Sequence, residues 1–227
     1  MSDHKLVTPT PAGFTTHEVA HHFESAEQEY QAAKLGFWLF LATEIMLFGG
    51  IFAAYIFYFM NYQSDFQGAG ATLNWKLGAL NTLVLLTSSW TMAAAVRNAQ
   101  LSQKKQMLIN LGITLVCAGG FMVVKYIEYS GKLHDGVFFH IWEPVGHYAA
   151  LQDLEFSQLF YRIYFTATGI HGVHVLVGMV LIAWLMLRGS KGHFHSGFYT
   201  PVDLVGLYGH VVDRIWIFLF PLLYLVP

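Results

Sequence analysis

Apolar residues gather in five runs of bilayer length, at about 35–60, 77–97, 107–128, 160–187 and 202–226, with polar stretches between them. About 20 apolar residues in a helix cross the hydrocarbon core of a membrane. Within lipid such a run is helical, because a helix satisfies its own backbone N–H and C=O groups. The pattern predicts an all-α, polytopic membrane helical bundle of five transmembrane helices, occupying residues 35–227. The fourth run is the longest and is expected to tilt or project.

Two segments stand outside the runs. Residues 1–34 are polar and hold Asp3, Glu18, Glu24, Glu27 and Glu29. They lack the apolar core and small-residue cleavage site of a signal peptide, so the spans themselves are expected to direct insertion. Within this tail Thr16–Ala33 reads as a helix, with Thr16 as cap and Glu18 in its first turn. His17, His21 and His22 suit a solvated face better than a metal, for which their spacing supplies no third ligand. Residues 129–160 form the one long loop. It carries His134, Asp135, His140, Glu143, His147, Asp153 and Glu155 among Phe138, Phe139, Ile141, Trp142 and Tyr148. The aromatic residues favour a packed loop that meets a partner subunit; a metal site built from its histidines is the weaker alternative.

Basic residues set the expected orientation. Lys5, Lys34, Arg97, Lys104, Lys105, Arg188 and Lys191 fall on the side of the N-terminus, and Lys76, Lys132 and Arg162 on the other. Seven against three places the N-terminus in the cytoplasm and the C-terminus outside.

Composition agrees with a membrane protein: 55% of residues are hydrophobic and 11% charged, against about 25% charged in soluble domains. The net charge of −2 gives no reason to expect nucleic acid as a partner. The single cysteine, Cys117, lies in an apolar run and reads as a core residue.

Candidate chemistry lies in the polar residues inside the spans. Glu44 is the one charged residue between Leu35 and Phe59. Its carboxyl lies about 14 Å along the helix from Leu35, where a charge costs roughly 2.5 kcal/mol or more. A neutral, protonated carboxyl lowers that cost, so Glu44 is expected to be mostly protonated and to face lipid. The spans also hold Asn81, Lys125, Glu128, His171, His174, His210, Asp213 and Arg214. Lys125 and Glu128 are three apart on one helix face and can pair. Glu128, His174, His210 and Asp213 are expected to gather in one polar cluster between helices. Arg214, mid-span, calls for a carboxylate or a neighbouring subunit.

The histidines admit two readings. His171, His174 and His210 supply three imidazoles for a haem or a metal, or they hydrogen-bond between helices. An HxxH pair lies on one face of one helix and cannot grip a haem from both sides, so the structural reading is preferred. Gly49, Gly50, Gly119, Gly120, Gly169, Gly172 and Gly178 mark faces where helices are expected to approach closely, with Ser88, Ser89 and Thr91 doing the same in the second span.

Taken in order, these segments resemble subunit III of the haem-copper respiratory oxidases. LGFWLFLATEIMLFGGIFAAY (35–55) is similar to that family's glutamate-bearing helix, with Glu44 at the glutamate position. LNTLVLLTSSWTM (80–92), VVKYIEY (123–129), FTATGIHGVHVLVG (165–178) and HVVDRIWIFLFPLLYL (210–225) are similar to its later helices. The resemblance implies a five-span bundle that lacks two N-terminal helices of longer members. It implies an accessory, non-catalytic subunit without haem or copper of its own, those cofactors being in partner subunits. It implies bound phospholipid, contact with oxidase subunit I and the other oxidase subunits, and support of proton uptake. A bacterial-type plasma membrane, and further respiratory complexes as partners, belong to the same expectation. Three features depart from the family: the long loop after Tyr129, Gly209 in place of a tryptophan, and Arg214 in place of an apolar residue. The rival readings are a nitric oxide reductase-associated relative, a haem-binding electron-transfer protein using the three histidines, and a proton-linked transporter using Glu44. The chain shows no internal repeat of the kind transporters carry.

Overall fold

A computed structural model describes residue 8 and residues 10–138, 143–153 and 155–225, the side chains of residues 147 and 150 excepted. Six α-helices follow in order: α1 Ala26–Asn61, α2 Gln63–Ala71, α3 Trp75–Gln100, α4 Lys104–His134, α5 Ser157–Ser190 and α6 Thr200–Tyr224. Five of them, all but α2, are long and apolar enough to cross a membrane. The chain is a multi-pass membrane protein built as a helical bundle.

Four of the long helices run past both ends of the apolar stretch that predicts them, and α6 starts earlier than its run but ends at Tyr224; local chemistry explains several of these ends. α1 starts at Ala26, so the expected tail helix from Thr16 is corrected. Ser25 Oγ accepts from the Gln28 N–H at 3.1 Å, and the Glu24 N–H donates to Gln28 Oε1 at 2.7 Å. This S-x-x-Q arrangement ties up amides that the first turn leaves without helical partners. The tail helix thus merges with the first span, and α1 at 36 residues exceeds the 34 of α5. Asn74 Oδ1 accepts from the N–H groups of Lys76 and Leu77 and caps α3. α2 and a 3-10 turn over Gly146–Asp153 lie in segments read as loop.

The chain divides into two compact units, and every long helix contributes a segment to each. The first comprises Met1–Thr43, Thr87–Cys117 and Val177–Val211. Its core joins Met92 and Ala95 of α3, Met107 and Leu111 of α4, Leu185 of α5 and Val202 of α6. Gly189 and Gly206 set the close approaches: a Cβ at Gly189 would stand 2.8 Å from Met107 Cε, and one at Gly206 would stand 2.8 Å from Val96 Cγ2. The tail packs on the turn between α5 and α6. Thr15 N–H donates to Gly192 O at 3.0 Å, and the His17 ring stacks on Phe198 with centroids 3.6 Å apart.

The second unit comprises Glu44–Leu86, Ala118–Leu176 and Val212–Pro227. Its core is aromatic, with Tyr55, Phe66, Phe121, Phe160, Tyr164 and Trp216 all buried. Gly78 lets α3 meet α6, since a Cβ there would stand 2.6 Å from the Phe220 ring. At Gly49, Gly50, Gly120, Gly169 and Gly172, by contrast, an added Cβ meets nothing within 4 Å. Of the glycines the sequence pattern singles out, Gly178 has a neighbour in contact, Tyr208 at 3.4 Å, while the tightest approaches fall on others, because spacing along one helix does not reveal which face a neighbour takes. The same is true of Gly209, where a Cβ also meets nothing within 4 Å.

In the long loop, Gly136 has φ +73°, and a Cβ on it would collide with Glu143 O. Glu143 N–H returns to Gly136 O at 3.0 Å, and Val145 N–H to Asp135 O at 3.1 Å. Val137 and Leu151 are buried, so the described part of the loop is packed. Burial pushes the Tyr148 phenol, beside Tyr161, up to about 12. Phe139, His140, Ile141, Trp142 and the His147 side chain lie outside the described residues.

Candidate functional site

Glu44 of α1 and His174 of α5 meet. His174 Nε2 lies 2.7 Å from Glu44 Oε2, and each side chain is 17% exposed. His174 Nδ1 lies 2.8 Å from the carbonyl oxygen of Ile170. A carbonyl only accepts, so Nδ1 carries a proton. The contact between Nε2 and Oε2 therefore holds one further proton, shared between a carboxyl and an imidazole. Written as acid and imidazole or as carboxylate and imidazolium, the pair is neutral overall. That neutrality is how α1 accommodates a carboxyl within its apolar run.

A second polar group surrounds Glu128 of α4. Its Oε1 accepts from Lys132 Nζ at 2.7 Å, Tyr164 OH at 2.8 Å and Tyr224 OH at 2.7 Å. Its Oε2 accepts from Lys125 Nζ at 2.8 Å. Lys125 Nζ donates also to Tyr224 OH at 2.7 Å, and Lys132 Nζ to Tyr164 OH at 3.0 Å. Two ammonium groups thus share one carboxylate. Aromatic faces offset the second positive charge: Lys125 Nζ lies 4.6 Å from the Trp216 ring centre, and Lys132 Nζ 4.3 Å from that of Tyr164.

The remaining polar residues take separate places. His210 Nδ1 lies 2.7 Å from Ser89 Oγ. His171 is fully buried among Phe48, Phe121 and Trp216, and among the described residues neither ring nitrogen meets a hydrogen-bond partner. It ties helices together through these ring contacts. Asn81 is buried, and its amide likewise meets no partner among the described residues. Arg214 is exposed on α6.

The expected pairing of Lys125 with Glu128 is present. Of the residues expected to gather, Glu128 bonds the two lysines and two tyrosines, His174 bonds Glu44, and His210 bonds Ser89. Helix faces account for this, since each residue bonds whatever its own face meets. Lys132, counted from sequence as a loop charge, is buried in the last turn of α4. Its spacing of four from Glu128 is a readable signal; Tyr164 and Tyr224 carry none. Among the described residues, no group of three His, Cys, Asp or Glu side chains is placed to hold a metal ion.

Five long apolar helices with buried polar pairs define a polytopic helical membrane protein. A sequence profile described as Cytochrome c oxidase subunit III matches residues 16–226. Cytochrome c oxidase subunit 3 of Bacillus sp. strain PS3 is 29% identical over 192 residues, covering 85% of this chain and 84% of that protein. Quinol oxidase subunit 3 of Bacillus subtilis strain 168 is 30% identical over 216 residues, covering 91% and 95%. Probable quinol oxidase subunit 3 of Staphylococcus saprophyticus is 29% identical over 209 residues, covering 91% and 95%. The chain belongs to the subunit III family, as an accessory subunit of a haem-copper terminal oxidase.

Proposed function

We propose that this subunit packs beside the catalytic subunit I, which carries the haem and copper, and that it steadies that subunit's proton uptake and working lifetime. The observation that carries the reading is the Glu44–His174 pair. It holds one shared proton within the apolar run of α1, in a chain whose family role is accessory. A group of that kind buffers or orients without reacting.

The same reading places the chain in a bacterial-type plasma membrane with its N-terminus in the cytoplasm, from the seven-to-three bias of Lys and Arg. It has phospholipid lying against α1, which is the least buried of the five spans and exposes Trp38, Leu39, Ile45 and Met46. The electron donor, cytochrome c or quinol, acts on partner subunits.

The test is Glu44→Gln in the purified oxidase. The amide keeps a donor for His174 Nε2 and removes titration. Initial oxygen turnover is expected to stay near wild type, while proton uptake slows or activity is lost sooner during sustained turnover. Immediate loss of all turnover would defeat the accessory reading.

A further inference from the structure

Arg214 is exposed on α6, and among the described residues it makes no hydrogen bond, ion pair or ring contact. It lies fourteen residues from Thr200 and ten from Tyr224, the ends of that helix. At 1.5 Å per residue this is about 21 Å from one end and about 15 Å from the other, at the middle of the span. A guanidinium stays protonated at any accessible pH, so it does not relieve itself as a carboxyl does. Intramembrane arginines pair with one another's counter-charges or face a protein interior. Asp213, the adjacent residue, points to a different side of the helix, since neighbours in sequence do not share a face.

Arg214 also heads a stripe. Ile217, Phe218, Pro221 and Leu225 are exposed in turn below it, at the three- and four-residue steps that keep to one face of a helix. Pro221 has no N–H to give the carbonyl of Ile217, so the same face presents a backbone acceptor too. The stripe combines one fixed cation with large apolar side chains. The headgroups of a flat bilayer lie about 15 Å from its centre, beyond the reach of this side chain.

We infer that this face of α6 is a subunit interface, and that its occupant is a transmembrane helix of a neighbouring oxidase subunit carrying an Asp or Glu at the depth of Arg214. A carboxylate accepts two N–H bonds from one guanidinium, and this fork fixes both the rotation and the depth of the neighbour. Ile217 and Phe218 then pack beside the pair and keep it dry. The inference rests on the reading of the chain as an accessory oxidase subunit.

The experiment is made on the whole oxidase in its native membranes. Phe218 is replaced by the photoreactive p-benzoylphenylalanine, and Arg214→Leu and Arg214→Lys are made separately. Illumination is expected to join Phe218 to a polypeptide whose linked peptide spans the membrane and contains an Asp or Glu. Arg214→Leu is expected to lower the amount of this subunit retained through detergent purification by about tenfold, with Arg214→Lys between it and wild type. The free chain should insert as well as before, since leucine suits lipid better than arginine. Removing the carboxylate identified in the linked peptide should reproduce the loss.

An adduct with lipid alone, which would mean a phosphate drawn down to Arg214, overturns the inference. So does full retention of Arg214→Leu. Failure of the wild-type chain to purify with any oxidase subunit defeats the accessory reading itself, and is recognised because it precedes any substitution.

Discussion

His174 Nε2 lies 2.7 Å from Glu44 Oε2, across 130 residues of sequence, and this bond ties α5 to α1. Its strength is measurable. Glu44→Ala leaves Nε2 without its carboxyl partner, and His174→Ala does the same to the carboxyl. A double-mutant cycle on thermal unfolding of the detergent-solubilised complex should return a coupling of about 0.6–1.7 kcal/mol, the range of hydrogen bonds between membrane helices. Additive losses would mean that the two side chains act independently.

The group around Glu128 should respond unevenly to its own members. Glu128→Gln leaves two buried ammonium groups facing each other and should cost about 3–5 kcal/mol, the usual consequence of removing one partner from a buried charge cluster. Lys132→Met removes the surplus cation, leaving Lys125 paired one to one with Glu128. It should therefore cost less than Glu128→Gln. Unfolding temperatures of the two variants check the order; a larger loss for Lys132→Met would refute the charge count.

Much of this arrangement was legible in the sequence, and its limits have physical causes. Run length reveals a membrane helix because lipid forces one conformation on any apolar stretch of about 20 residues. Helix ends are set by single hydrogen bonds, so the Ser25–Gln28 cap displaced the expected start at Thr16. α2 was missed because its polar, glycine-bearing sequence gives no periodic signal; Phe66 anchors it through Tyr55, Phe59 and Phe160, brought in from other helices. In the site, Glu44 stood out as a charge in an apolar run, and Lys125 with Glu128 by spacing. Partners such as His174, Tyr164 and Tyr224 were set by which helix faces meet, and one sequence does not encode that in any local pattern.

Glycines offer a direct check on those faces. Gly78→Ala places a methyl 2.6 Å from the Phe220 ring and 3.3 Å from Tyr224, so an aromatic ring in a packed core must move. A loss of about 1–3 kcal/mol is expected, as for other overpacked sites. Gly49→Ala meets nothing within 4 Å, and in a helix interior it should be neutral or stabilising by about 0.5–1 kcal/mol. Melting curves should show Gly78→Ala below wild type and Gly49→Ala at or above it.

The tail gives the pH-dependent prediction. His195, between α5 and α6, is fully buried, and burial lowers its pKa below that of a free histidine. Its Nδ1 accepts from the Gly197 N–H at 3.1 Å, and Phe14 of the tail packs edge-on against its ring at 5.7 Å. Because the folded state resists protonation, the unfolded or undocked state binds more protons once the pH falls below about 6.5, the ordinary histidine value. Docking is then fully present above that pH and weakens as the pH falls below it. Limited proteolysis of the tail in the intact complex should therefore quicken between pH 7.5 and pH 5. His195→Phe, which keeps a ring against Phe14 and removes the proton site, should flatten that dependence. Equal pH profiles in wild type and His195→Phe would show that the tail is held by other groups.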